Sequence, residues 1–374
     1  MPSPSPADRR NAFYVPSAAV SLGTENSRLL QFHGLAATQV EVDLQLSVAG
    51  LFKFTIPNCF DAKVREFRTA RGNPVLDLLK LGTRVWIRMG YGDVSGTSCL
   101  FSGYINSVTT SFSEDHSPEL EVSGQDALYP LTLGTHEHRN EKASLKDAVT
   151  EVAKRNGLRL DMEKDPPKDV TLDSNMQSDM EFLRKLVENF AKRKEKWEFY
   201  SPADKQVDVL HFGPRQTDAA ELATLEWGVD LLSFKPEINL GNQVGKVEVC
   251  GWDELKKETI LGEARAGSAG GKAKTGGQIQ SGFLPNEVVR RIRLPVRTKQ
   301  EADERAEAEL AGALNDHLKG EGETFGMPEL RPDTRVRLAG LGAKFSRSYY
   351  VTRTTHRYDA SGYRTRFSVE EPMS

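Results

Sequence analysis

Several groups of residues in this chain have the right types to do chemistry, and each falls short of a reaction centre on spacing. His136-Glu137-His138 sets two imidazoles at i and i+2, on one face of a strand, where a carboxylate could complete a metal site. No third ligand stands at a usual spacing, and a polar linker accounts for the triplet. Glu114-Asp115 and the Asp161/Glu163 pair could serve glycoside hydrolysis, which needs two carboxylates across a sugar bond, but with 53 acids in the chain adjacency carries no information. The segment Arg184 to Lys196, RKLVENFAKRKEK, could contact phosphate, yet an apolar stripe and glutamates interrupt its basic residues, as on a solvated helix face. The glycine-rich stretch 267–277 lacks the GxxxxGK[ST] order, and no GxSxG occurs. Gly251-Trp252-Asp253 stands at the exit of a strand, where Trp252 reads as a core or interface anchor rather than a catalytic platform. No catalytic, cofactor or metal-binding residues are therefore assigned, and no cofactor is expected.

The elements around these groups explain more. The 374 residues are long enough for two or three domains, and 50 Lys and Arg against 53 Asp and Glu give no global field for nucleic acid. The opening MPSPSPADRRNAF has prolines and serines where a signal peptide needs an apolar run, and no apolar run of membrane-spanning length follows, so synthesis and folding in the cytosol are expected. Cys59, Cys99 and Cys250 are far apart, in no CxxC pattern, and read as reduced thiols.

VEVDLQLSV alternates from Val40 to Val48, with Val40, Val42, Leu44, Leu46 and Val48 on one face, and LFKFTIPN follows with Phe52, Phe54 and Ile56 until Pro57. The two predict a hairpin. A third strand puts Val85, Ile87 and Met89 inward and Arg84, Trp86 and Arg88 outward; Leu100–Val108 and PELEVSGQD supply a fourth and fifth. The second half repeats the order. LSFKPEINL, a Gly241-Asn242 turn and KVEVCGWD read as the hairpin again; PDTRVRLAGLG echoes LGTRVWIRMGYG in its Thr-Arg-Val; FSRSYYVTRTTHRY and YRTRFSVEE close the set. On this reading the insert between second and third strands is about twenty-five residues in the first copy and about eighty, Trp252 to Arg331, in the second.

That larger insert holds a Gly/Ala/Lys-rich stretch, expected as a mobile loop over 262–285, and a helix over 298–319 with Thr298 as N-cap and a stripe of Ala302, Ala306, Leu310, Leu314 and Leu318. Between the copies, Ser144/Asp147 and Ser178/Glu181 cap two helices, and WEFYSP with VDVLHFGP predicts a short hairpin. The fold class is thus mainly β with an α+β insertion: two similar β-barrel domains flanking a small α/β domain. The boundaries are an N-terminal arm at 1–25, a first barrel at 26–138, the α/β domain at 139–222 and a second barrel at 223–374.

Five pieces in order, LFSGYINSVTTSF, SDMEFLRKLVENF, VEVCGWDELKKETILGEA, PVRTKQEADERAEAEL and PDTRVRLAGLGAKFSRSYYVTRTTHRYDASGYRTRFSVEE, resemble the baseplate hub or late-control D family of contractile phage tails and injection systems. That family is allied to the amino-terminal part of VgrG spikes. The resemblance implies a structural, non-enzymatic homotrimer whose duplicated barrels form a pseudo-six-fold ring joining the tail tube to the spike. It implies as partners the tube protein, the spike protein, other baseplate proteins and a tape measure or cargo in the channel, with assembly in the bacterial cytoplasm into a virion or injection particle. Because the sequence stops at Glu370-Glu371-Pro372-Met373-Ser374 without a neck or β-helix, the needle is expected as a separate protein.

Outward Arg84, Trp86 and Arg88, their counterparts Arg335 and Arg337, and Trp252 are the candidate interface residues. Two other functions compete: a peptidoglycan hydrolase with its acids between 140 and 220, and a carbohydrate-binding module using Trp197, Trp227 or exposed tyrosines.

Overall fold

The computed structural model describes residues 15–370 apart from 93–96, 116, 138–143, 167–175, 192–195, 204–206, 217, 239–244, 254–256, 266–287, 295, 297 and 316–317. Its first module contains strands Pro16–Leu22 (β1), Thr38–Gln45 (β2), Leu51–Ile56 (β3), the short pair Phe60–Asp61 (β4) and Glu66–Phe67 (β5), Arg84–Tyr91 (β6), Thr97–Thr110 (β7) and Leu120–Asp126 (β8). The strands lie in the order β1-β6-β7-β8-β3-β2, each pair antiparallel. Inward Val85, Ile87 and Met89 meet Phe52, Phe54, Ile56, Leu120 and Val122 in one core, as period-two burial requires. β2 ends at Gln45, short of the expected Val48, because the chain turns at Ser47, whose φ is +59°. β1 belongs to this sheet, so the segment expected as a free arm up to residue 25 is, from Pro16 on, an edge strand on β6.

The α/β domain follows. His136–Glu137 (β9) pairs with Met176–Gln177 (β11), and Arg159–Asp161 (β10) runs parallel to Val209–Pro214 (β13), which pairs antiparallel with Trp197–Tyr200 (β12). Helix Leu145–Arg155 (α1) starts with a capping box between Ser144 and Asp147 and ends at Asn156-Gly157. Helix Asp179–Ala191 (α2) is preceded by Ser178, whose hydroxyl and amide exchange hydrogen bonds with Glu181. Their apolar faces, Val149 and Val152 with Phe182, Leu183, Leu186 and Phe190, close over Trp197, Phe199 and Phe212. Trp197 is buried, which removes it as a sugar-stacking surface.

The second module contains Glu221–Glu226 (β14), Leu231–Ile238 (β15), Lys246–Asp253 (β16), Glu258–Arg265 (β17), Val289–Arg293 (β18), helix Lys299–Asn315 (α3), Leu318–Phe325 (β19), Arg335–Ala339 (β20), the helical turn Gly342–Phe345 (α4), Ser348–Asp359 (β21) and Gly362–Glu370 (β22). β14-β20-β21-β22-β19-β15 is the order across its sheet, the same as in the first module, except that β14 pairs parallel with β20 where β1 is antiparallel to β6. Antiparallel pairing of β2 with β21 fuses the two into a 12-stranded sheet.

Three expectations about this half are corrected. The return strand of the second hairpin is β19, not KVEVCGWD: β15 pairs with β19, while β16 lies in a separate three-stranded sheet with β17 and β18. The large insert therefore separates the first and second strands of the copy rather than the second and third. Helix α3 ends at Asn315, and Leu318, assigned to its stripe, opens β19; Ala302, Ala306 and Leu310 are buried as expected. Residues 262–265 of the expected mobile loop belong to β17, and the rest of it lies outside the described residues.

Helix α3 packs so closely on β17 that a Cβ on Gly262 would stand 2.2 Å from the carbonyl carbon of Ala302 and 2.4 Å from the Asp303 nitrogen. Two backbones cannot separate cheaply. Gly262→Ala is expected to cost about 1–3 kcal/mol, read as accelerated amide hydrogen exchange confined to β16, β17, β18 and α3.

Candidate assembly surface

The Thr-Arg-Val echo is one structural device used twice. Gly82 and Asp333 both take positive φ, +82° and +66°, so the chain enters each strand through the same left-handed turn. In the first copy Gly82 N donates to Ile105 O at 2.7 Å and Ile105 N to Thr83 O at 3.0 Å; in the second, Asp333 N donates to Val351 O at 3.1 Å and Val351 N to Thr334 O at 2.9 Å. Arg84 then faces Tyr104 as Arg335 faces Tyr350, and each long strand carries a bulge two residues further on, at Asn106 and Thr352.

The residues expected at interfaces divide by environment. Arg84 is half-buried: its Nη2 lies 2.6 Å from Asp208 Oδ1, and its guanidinium packs over Trp86 and Tyr104. Tyr104 also donates to Asp208, at 2.6 Å, so this corner ties the first module to the α/β domain. Arg88 reaches Glu25 and the Thr97 carbonyl, and Arg335 donates to Ala219 O at 2.9 Å. These arginines already serve joints within the chain. Arg337 and Trp252 are exposed, Trp252 at 57 %. Sequence reasoning had no signal for Asp208, the partner that turns Arg84 inward, because it lies in another domain.

One face of the 12-stranded sheet carries the cores and the other is polar. On the polar face Arg353 pairs with Asp43, Arg364 and Arg366 share Glu323, and Lys53 meets Glu121 at 2.7 Å. Charges of both signs thus alternate along a surface that also carries Ser123, Thr355 and Ser368.

Where the three bodies meet, a crevice of about 460 Å³ opens, with Asp126, Asp161, Tyr200, His211, Arg331 and Asp333 among its lining residues. Two of its four acids, Asp126 and Asp333, are held by close donors. Asp126 accepts from Gly50 N at 2.8 Å and Leu128 N at 2.9 Å, and burial pushes its carboxyl up to about 7 against those two bonds. Asp333 accepts from Tyr200 at 2.9 Å and Tyr350 at 2.7 Å. Behind the wall, Glu198 is 3 % exposed and touches both the Tyr350 hydroxyl and Arg215, while Arg215 also pairs with Glu370 and lies 4.3 Å over the Tyr350 ring.

A hydroxyl has one proton, so Tyr350 cannot donate to Asp333 and Glu198 together. A proton held on Glu198 resolves this: Glu198 donates to Tyr350, which donates to Asp333. Burial accordingly pushes Glu198 up to about 8, with Asp333 adding to the rise and Arg215 opposing it. Both tyrosine hydroxyls are pushed up as well, by burial and then by the neighbouring carboxylates. The network joins β12 and β13 of the α/β domain to β21 and β22 of the second module.

Among the described residues no group of three His, Cys, Asp or Glu side chains converges to hold a metal, and no helix is long and apolar enough to cross a membrane. His136 lies in β9, and His138 is outside the described residues. All three cysteines are free.

The fold is that of phage tail proteins. It is similar to the 43 kDa tail protein of prophage MuSo2 from Shewanella oneidensis, with TM-score 0.69 and 14 % identity over 96 % of this chain and 98 % of that one. The tail protein from Neisseria meningitidis MC58 gives TM-score 0.68 and 14 % identity over 96 % and 97 %. An E. coli component of the type VI secretion system gives TM-score 0.53 and 12 % identity over 95 % and 77 %. No curated protein matches the sequence. The family model described as the Alg8 N-terminal domain matches residues 62–359, and the chain belongs to that family.

Proposed function

We propose that the chain is a structural component of a phage tail or a related injection apparatus, and within it the hub that joins the tail tube to the spike. The observation that carries this reading is the duplication: two modules with one strand order, one entry turn and one bulge, fused edge to edge in a single sheet. A closed ring needs the same contact at every junction, and three chains with two modules each supply six. The polar sheet face, with its alternating charges, is suited to lining a water-filled channel. The likeness in fold to phage tail and type VI secretion proteins supports the same reading.

The chain acts in this reading without catalysis: Asp126 and Asp333 at the crevice are committed to amides and tyrosine hydroxyls rather than poised on a substrate. Its partners are further copies of itself, the tube protein, the spike protein, other baseplate proteins and the tape measure or cargo that passes through, in a virion or injection particle. Light scattering of the full chain, alone and mixed with the tube and spike proteins of its own gene neighbourhood, tests this. A three-copy ring that captures both proteins is expected. A strict monomer at tens of micromolar that binds neither overturns it.

A further inference from the structure

The sheet contains one finished junction between modules and the two halves of a second. In the finished one, β21 carries two strands in series along the same side: β20 opposite Ser348–Tyr350, then β2 opposite Arg353–Tyr358. β7 is its counterpart in the first module. It carries β6 opposite Thr97–Tyr104, and among the described residues no strand occupies the same side beyond Ile105. The counterpart of β2 is β15, which ends the sheet; on its outer side Leu231 bridges to Trp227, and beyond that bridge no strand pairs with it among the described residues. Within one chain these two open edges lie at opposite ends of the sheet.

We propose that β15 of one copy of this chain pairs antiparallel with Ser107–Phe112 of another, in the register that β2 adopts on β21. The equivalences fix that register. The bulges align Arg353–Tyr358 with Ser107–Phe112. Glu41 faces Lys53, which faces Ser123, just as Lys235 faces Glu321, which faces Ser368. Phe234 then stands opposite Phe112, Lys235 opposite Ser111, Pro236 opposite Thr110 and Glu237 opposite Thr109.

Two further observations fit this occupant. Phe112 is 66 % exposed, seated on Phe60 and Phe67 and offering its free side to the open edge. Its counterpart Tyr358 is covered by fully buried Val40 in the finished junction, and Phe234 would cover Phe112 in the same way. Pro236 is the second. Leu46 N donates to Thr352 O, so by the two-residue period Val42 turns its polar groups toward β21, and Pro236, its equivalent, gives the open edge one amide fewer. A proline on an edge deters indiscriminate pairing while leaving the partner-specific contacts in place.

The inference rests on the reading of the chain as a ring-forming tail component, and its test separates the two. By the same period, Glu41 and Arg357 form a non-hydrogen-bonded pair, so Lys235 and Ser111 of two copies would stand about 4.5 Å apart at Cα, within disulfide range. Full-length protein carrying Lys235→Cys and Ser111→Cys is expected to close into covalent trimers on mild oxidation. Lys235→Cys with Ser113→Cys, one repeat out of register, is expected to stay uncrosslinked, as is the parent chain with its buried or half-buried cysteines. Phe112→Glu, at an exposed site, is expected to weaken association about tenfold to a hundredfold, the effect of losing one aromatic anchor. Trimers by light scattering without the 111–235 crosslink overturn the junction and leave the ring standing. An open ladder of crosslinked chains supports the junction and overturns closure at three. A monomer with no crosslink overturns both.

Discussion

Arg215→Ala is expected to lower the unfolding free energy by about 3–5 kcal/mol, the range for removing one partner of a buried ion pair. Arg215 leaves the end of β13 and reaches into the second module, where Glu370 closes β22. With Glu198 holding a proton, Glu370 is the charge that Arg215 balances. Lys196, paired with Glu370 at 3.6 Å, still balances part of its charge, which puts the expected loss toward the lower end of that range. The variant also loses the stacking of Arg215 on Tyr350. Urea denaturation followed by tryptophan fluorescence measures the change. Arg291→Ala is the control: Arg291 contacts Glu248 directly, at 2.7 Å, but it is 73 % exposed, and a much smaller loss is expected. Equal losses in the two variants would show that the joint between the domain and the module is not held by this network.

Raising the pH from 6.5 to 8.5 is expected to destabilise the protein. Asp126 and Glu198 ionise in the unfolded chain at ordinary carboxylate values, 3.8 and 4.5, and in the folded chain only near 7 and 8. Between those limits the unfolded state binds fewer protons, so stability falls as pH rises and levels off above about 8. For Asp126 the whole window is worth on the order of 4 kcal/mol. Buried His356 works the other way at lower pH. It is held between Tyr363 and the Leu330 carbonyl, and burial, with Arg331 adding to it, pushes it down to about 3. The unfolded chain therefore gains a proton below about 6.5 that the folded chain refuses. The carboxylate slope is cleanest above about pH 7.5, where His356 is neutral in both states. Thermal melts are expected to show stability falling with a slope of about one proton between pH 6.5 and 7.5 and about half a proton near pH 8. Glu198→Gln, which keeps a donor for Tyr350 without a charge, is expected to remove the second portion. A flat profile in the parent chain would place an ionised carboxylate at Glu198.

The first module was legible in the sequence because its inward positions are apolar on every strand. Val40 and Val42, Phe52 and Phe54, and Val85, Ile87 and Met89 give an unbroken period of two. The second hairpin was misread for a physical reason. Its true return strand, LKGEGETF, has glycines at inward positions, and their space is taken from the neighbouring strands. A Cβ at Gly320 would stand 2.5 Å from the Phe234 ring, and one at Gly322 2.4 Å from the Phe367 ring. In register, Gly320 and Gly322 occupy the places of Phe52 and Phe54, while Phe234 and Phe367 occupy those of Val40 and Val122. The aromatic volume has moved one strand sideways in both directions. A pattern rule that reads one strand at a time cannot see this, and KVEVCGWD, with Val247 and Val249 buried in its own small core, offered a better alternation.

The surface was less legible than the fold. Arg84 and Arg335 were correctly placed in the echoing strands, but their partners, Asp208 and the Ala219 carbonyl, come from segments far along the chain. The turn before the echo was more informative than the tripeptide. A glycine and an aspartate at one left-handed position look different as letters and equivalent as backbone.

The pairing of β2 with β21 also orders events during synthesis. Arg353 is 310 residues beyond the Asp43 it holds, so the first module leaves the ribosome with the outer side of β2 bare. At ribosomal speeds of 5–20 residues per second, that edge waits roughly 15–60 s for its covalent partner. Contacts of such separation form late and slowly, and polysomes bring many nascent first modules close together meanwhile. The interval is one in which a holdase bound to the nascent chain would favour the correct fold over strand exchange between neighbouring ribosomes.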